Sequence, residues 1–297
     1  MIDQVQLNFN PATLMLLNGI LGFILFGVSL DLKLEDFKLI YKMPKEVLVG
    51  LSGQLILLPL LTVGLILIIK PQASLALGMI LVASCPGGNL SNFMTHYAKG
   101  NTALSVTLTT LATSLAVLST PLNFYLWGNL LPETKALMTA IDIPFSGIML
   151  NVFLLIALPL TLGLLVSHKF PAFAAKVKKP MKWFSLIFFF VFIILAFAAN
   201  FSYFLEYIHI VFLIVLIHNG VAFLGGYSLA SLFKINEFNK RAITLEVGLQ
   251  NSGLGLILIF NFFNGLGGMA IITAFWGIWH IISGFSLAHY WNKSNNK

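Results

Sequence analysis

Apolar runs of roughly 20 residues recur along this chain from near its start to near its end, each long enough to cross a bilayer core of about 30 Å as a helix. Charged residues make up 9% of the chain and hydrophobic residues 58%, where a soluble domain carries about 25% charged residues. The chain therefore reads as an all-α, polytopic membrane protein seated in a lipid bilayer. No stretch is long or polar enough to form a separate soluble domain. The first run, 12–31, lacks a basic leader and a small-residue cleavage pattern, and reads as a retained helix. A lone Cys85 excludes an internal disulfide.

The pattern gives nine spans, at about 12–31, 46–69, 74–98, 102–130, 143–167, 181–203, 207–233, 238–263 and 268–291. With that count, all 17 Lys and Arg except Lys70 and Lys135 fall on one side. The positive-inside rule then sets the N-terminus outside and the C-terminus in the cytoplasm, in a cytoplasmic (inner) membrane. The net charge of +7 is thus a topology signal and no nucleic-acid footprint, with anionic lipid headgroups as a secondary partner. No obligate protein partner is evident.

Two spans are interrupted. "SCPGGNLSN" (84–92) places Pro86-Gly87-Gly88 where a helix should continue, and "EVGLQNSG" (246–253) places polar residues between Gly248 and Gly253. Irregular backbone at membrane depth persists only when buried in protein or lining a wet cavity, so both breaks are site candidates. The interrupted spans are third and eighth. Pairing spans 1–4 with 6–9 gives an odd offset of five, so paired spans run in opposite senses. Gln54 in span 2 then corresponds to His218-Asn219 in span 7. Inverted repeats with interrupted helices in matching positions are the pattern of a secondary transporter with a midplane site.

Of the ten Asp and Glu residues, only Glu246 falls clearly inside a span. A charge there costs several kcal/mol unless partnered. No Lys or Arg is expected at that depth, so the partner is a cation from solution, a proton or a His. The neighbours are hard oxygen donors: Gln250, Asn251 and Ser252, and across the repeat Asn89, Ser91 and Asn92. Ser105 and Thr109 share one helix face at i, i+4. One carboxylate among hydroxyls, carboxamides and unwound carbonyls suits an alkali cation, with too few carboxylates for calcium and no Cys/His cluster for zinc. Simpler roles exist for several of these residues. Ser105 and Thr109 can back-bond within their helix, Gln54 can bridge helices, and His218 and His280 can be satisfied buried histidines. The sequence contains no HExxH, GxSxG or Walker motif, which argues against an intramembrane enzyme or an ATP-driven pump.

At these segments the chain resembles the bile acid:sodium symporter family. The matching stretches are "SCPGGNLSN" (84–92), "GNTALSVTLTTLAT" (100–113), "HNG" (218–220), "LEVGLQNSGL" (245–254) and "WHIISG" (279–284), in order along nearly the whole chain. The resemblance implies two broken helices that cross, a core domain of about 46–130 and 207–291, and a panel domain of about 12–31 and 143–203. It implies two sodium ions as coupling ions. One site would use Ser91, Asn92, Ser105, Thr109 and Glu246. The second would use Gln54, Glu246 and Gln250 with carbonyls near Val247 and Leu249. Asn89, Asn251 and His280 are the implied substrate contacts. The implied activity is sodium-coupled import of an organic anion, bile-acid-like or a smaller carboxylate, by alternating access. Proton coupling and a related-fold anion exporter are the alternatives. Many bacterial members carry one more helix and read "PGGTASN" where this chain has "PGGNLSN". The difference falls at Asn89, so bile acid is not assumed as the substrate.

Overall fold

The computed structural model describes residues 19–20, 22–23, 25–27, 29–30, 38–141, 150, 153–199 and 201–294. Among them all regular structure is helical, apart from one isolated antiparallel bridge between Gly87 and Gln250. The helices used below are α1 (Pro44–Ile69), α2 (Ala73–Ser84), α3 (Leu90–Tyr97), α4 (Thr102–Gly128), α5 (Pro132–Ile141), α6 (Phe153–Lys169), α7 (Pro171–Ala199), α8 (Phe201–Leu232), α9 (Glu237–Gly248), α10 (Ser252–Phe262) and α11 (Gly267–Ser294). Among the described residues, four stretches are long and apolar enough to cross a membrane on their own: α1, α4, Leu205–Leu232 of α8, and α11. Helices α2, α6 and α10 are apolar but shorter.

The spans expected from 46–69 onward fall largely on helices, except where 143–167 begins outside the described residues and where 181–203 passes from α7 to α8 through residue 200, which also lies outside them. Most of 12–31 lies outside them too. The expected spans 74–98 and 238–263 are each two short helices around a break. Two differences have local causes. Helix α5 occupies a stretch read as a loop. Pro132 starts it, and the Thr134 hydroxyl donates back to the Gly128 carbonyl at 2.6 Å. Helix α7 begins ten residues before the expected 181, because Ala174 and Met181 form an apolar face with Leu30 that carries the helix through Pro180.

Helix α1 shows how sequence sets local geometry near the breaks. Pro59 has no N–H, so the Leu55 carbonyl loses its helical donor. Residues Gly53–Leu57 widen into a π turn, and the Nδ2 of Asn123 on α4 donates to the freed Leu55 carbonyl at 2.9 Å. The same turn carries Gln54 into the interior, where it is fully buried.

The breaks complete each other. Cys85 and Leu249 are extended, so carbonyls and N–H groups beyond them have no helical partner. The Gly88 N–H donates to the Leu249 carbonyl at 3.1 Å, and the Asn251 N–H donates to the Pro86 carbonyl at 2.9 Å. Each interruption thereby satisfies backbone groups that lipid would leave bare. The second break is narrower than expected. Helix runs through Gly248 and resumes at Ser252, because the Asn251 side chain caps α10 by accepting from the Leu254 N–H at 3.0 Å. Gly253 lies inside that helix.

Helix α11 packs along α2 so closely that a Cβ at Gly78 would lie 2.9 Å from the Cα of Met269. The buried apolar core runs through α2, α9, α10 and α11. Large exposed side chains such as Leu67 and Ile68 cover the outside of α1, as a lipid-facing surface requires.

Candidate functional site

Glu246 is on the last turn of α9, two residues before the helix stops, and its side chain is 0% exposed. The crossing brings α3 and α4 against it. Ser91 Oγ, in the first turn of α3, donates to Glu246 Oε2 at 2.6 Å. Thr109 Oγ1 is 2.9 Å from both carboxylate oxygens, and Ser105 Oγ is 3.4 Å from Oε2. Asn92 joins through its Oδ1, which faces Ser105 Oγ at 2.8 Å and Thr109 Oγ1 at 3.1 Å. All five residues expected at the first site converge.

The back-bonding role considered for Thr109 also holds. Its hydroxyl lies 3.0 Å from the Ser105 carbonyl. That hydroxyl has one hydrogen and four acceptor oxygens within 3.1 Å. Ser91 Oγ likewise faces both Glu246 and, at 2.9 Å, the Gly88 carbonyl. The cluster is therefore rich in oxygen and short of protons around a buried carboxylate. A hard cation relieves that imbalance by coordinating several oxygens together. Among the described residues, Glu246 has hydroxyl partners and no ion pair with a basic side chain. Arg241, five residues earlier, is itself buried. Its Nη1 donates to the Ala98 carbonyl at 2.8 Å, and its guanidinium lies 5.8 Å from the Trp291 ring centre.

The second expected group gathers beside Gly87, which lies against the same carboxylate. Gln54 Nε2 donates to Gln250 Oε1 at 3.4 Å, and Gln250 Nε2 donates to the Val247 carbonyl at 2.8 Å. Gln54 Oε1 is buried without a hydrogen-bond partner among the described residues, an acceptor that a cation fits. The Leu249 carbonyl is engaged by Gly88 in the crossing. Gly87 packs directly on Glu246, and a Cβ there would also lie 3.0 Å from Gln54 Nε2. Gln54 is thus drawn to the break, while His218, its expected counterpart, pairs through Nε2 with Thr62 Oγ1 at 2.7 Å.

The three expected substrate residues are not gathered in this way. Asn89 is exposed at the start of α3 without a side-chain capping bond. Asn251 is half-buried and uses its Oδ1 to cap α10. His280 is buried on α11, with its Nδ1 unpartnered among the described residues. Among the described contacts, no hydrogen bond joins any two of the three.

Two parts of the site escaped the sequence. Thr95, one turn after Ser91, donates to Ser105 Oγ at 3.3 Å and is fully buried. Its i, i+4 spacing from Ser91 was a usable signal. Asn219 of α8 donates to the Gly248 carbonyl at 2.8 Å, a contact across 29 residues that no spacing rule reveals.

The chain is similar to known proteins over most of its length. The model of the sodium bile acid symporter family matches residues 19–207. The uncharacterized sodium-dependent transporter YocS of Bacillus subtilis is 36% identical over 278 residues, 93% of this chain and 83% of that protein. The probable sodium/metabolite cotransporter BASS2, chloroplastic, of Oryza sativa subsp. japonica is 31% identical over 280 residues, 92% of this chain and 63% of its own length. Sodium/bile acid cotransporter 5 of Rattus norvegicus is 27% identical over 258 residues, 86% of this chain and 58% of its own. On the extent of the family match and the identity to the Bacillus protein, this chain belongs to the sodium bile acid symporter family.

Proposed function

We propose that this protein is a sodium-coupled symporter that imports an organic anion across the cytoplasmic membrane, and not an enzyme. One observation carries the reading: a fully buried carboxylate, Glu246, held by hydroxyls in an oxygen cluster with fewer protons than acceptors. The names of the relatives, a sodium-dependent transporter and sodium cotransporters, support the same ion.

In this reading two sodium ions bind. Ser91, Asn92, Ser105, Thr109 and Glu246 hold the first. Gln54, Glu246 and Gln250, with the carbonyls of Val247 and Leu249, hold the second. Sodium neutralises Glu246 and draws the elements on both sides of the crossing together. Asn89, Asn251 and His280 border the anion, a bile-acid-like molecule or a smaller carboxylate. The fold is nine spans, eight of them paired in two inverted repeats and the fifth unpaired, with the N-terminus outside. A core of about 46–130 and 207–291 rocks against a panel of about 12–31 and 143–203 to alternate access. Two sodium ions with one monovalent anion move net positive charge inward, and each elementary charge draws about 2.3 kcal/mol per 100 mV.

The test is uptake of radiolabelled organic anions by proteoliposomes, with and without an inward sodium gradient, for the wild type and Glu246→Gln. Sodium-driven uptake in the wild type and its loss in the variant are expected. Equal wild-type uptake without sodium, driven by a pH gradient, would replace sodium with a proton.

A further inference from the structure

The break after α9 presents three consecutive carbonyls, and they are held from two directions. Val247 O accepts from the Gln250 side chain, and Leu249 O accepts from the Gly88 N–H, so both engage the crossing. The carbonyl between them, Gly248 O, accepts instead from Asn219 Nδ2 on α8 at 2.8 Å. It lies at a helix end, where carbonyls have no intrahelical donor, so its direction depends on what it finds outside the helix.

Asn219 is fully buried, and its amide is itself oriented. Ser283 on α11 donates through Oγ to Asn219 Oδ1. With Oδ1 so occupied, the Nδ2 edge is the one turned to Gly248. A carboxamide suits this place because it accepts on one edge and donates on the other. The preceding residue fixes the rotation of α8. His218 Nε2 is 2.7 Å from Thr62 Oγ1 on α1, and its ring lies 4.7 Å from that of Trp276 on α11. Consecutive residues of α8 thus grip different neighbours, and Asn219 has little freedom.

We infer that Asn219, oriented by Ser283, is a positioning residue for the second cation site: by tethering the Gly248 carbonyl it holds the peptide plane that joins those of the Val247 and Leu249 carbonyls, and so limits how far either can turn. It touches no ion. This rests on the sodium reading above, and it deepens that reading by adding a relay from α11 through α8 to the broken helix. Loss of the tether leaves Glu246 and its hydroxyls in place but lets the flanking carbonyls reorient, so sodium is held less tightly.

The experiment is a sodium titration of the purified full chain by thermal shift, with potassium balancing ionic strength. It compares the wild type, Asn219→Leu, Ser283→Ala and Ser283→Thr. Asn219→Leu keeps the branched outline of the side chain in a larger volume and removes both hydrogen bonds. Its half-saturating sodium concentration is expected to rise roughly three- to tenfold, the worth of one buried hydrogen bond. Ser283→Ala should shift in the same direction by less, and Ser283→Thr, which keeps the hydroxyl, should return to the wild-type value. A general packing defect lowers the melting temperature without moving half-saturation and without rescue by threonine. If Asn219→Leu does not fold, the two Ser283 variants decide. A wild type with no sodium response overturns the sodium reading. A responsive wild type with unshifted half-saturation in the variants that fold overturns the positioning role alone.

Discussion

Gly87 lies so close over the carboxylate of Glu246 that a methyl group there would overlap Oε1 and stand 3.0 Å from the Gln54 amide nitrogen. Both groups belong to the proposed cation sites, and neither has room to retreat, since Glu246 and Gln54 are fully buried. Gly87→Ala should therefore displace the carboxylate at a cost of about 1–3 kcal/mol, the usual range for overpacking. Sodium-stimulated uptake should fall by about tenfold or more at fixed sodium. Uptake kinetics equal to wild type would mean that the carboxylate can move without consequence.

The hydroxyls around Glu246 should differ in weight. Thr109 reaches both carboxylate oxygens at 2.9 Å, whereas the Thr95 hydroxyl reaches the cluster through Ser105, at 3.3 Å. Thr109→Val keeps the shape and removes the oxygen from the centre of the cluster. Thr95→Val removes one that acts at second hand. A sodium titration of uptake should show a rise in half-saturating sodium of about tenfold for the first and about threefold or less for the second, from the worth of a hydrogen bond to a charged group against a neutral one. The reverse order would place the ion nearer Thr95 than Thr109.

How much of this the sequence carried depends on the range of each interaction. The breaks were legible because Pro86-Gly87-Gly88 and the polar run after Glu246 act locally on helix stability. The company around Glu246 was legible because buried charge is scarce in such a chain, and the family resemblance supplied its partners. The tether from Asn219 to Gly248 was not, nor was the donation from Asn123 to Leu55. Both join residues far apart in sequence through side chains ordinary in type, and only packing of the helices creates them. Helix α5 was missed for another reason. It is amphipathic and only ten residues long, and its start is fixed by a hydroxyl folding back on the end of α4, a detail below the reach of hydropathy.

Glu246→Gln makes a prediction about stability as well as transport. Glutamine nearly matches glutamate in size, so packing is kept while the charge is removed. In the absence of sodium the wild type holds a desolvated carboxylate with only hydroxyl partners, a costly state. The variant should then melt at the same temperature as the sodium-free wild type or above it. Adding sodium should raise the wild-type melting temperature and leave the variant unmoved. Thermal unfolding in matched sodium and potassium buffers reads both effects. A variant that keeps the sodium increment would show that the ion does not depend on this charge.

A change away from the site should separate folding from ion binding. Gly78 on α2 faces α11, where an added Cβ would lie 2.9 Å from the Cα and 3.1 Å from the carbonyl oxygen of Met269. Backbone atoms within a helix cannot turn aside as a side-chain tip can, so Gly78→Ala must push α2 and α11 apart. The expected cost is about 1–3 kcal/mol, seen as a lower melting temperature in both sodium and potassium. Glu246, Ser91 and Thr109 belong to α9, α3 and α4, so the hydroxyl cage itself is left intact. Half-saturating sodium should stay within about twofold of wild type, as independent sites require. If it rises in step with the loss of stability, the packing of α2 on α11 and the cation cluster are one cooperative unit.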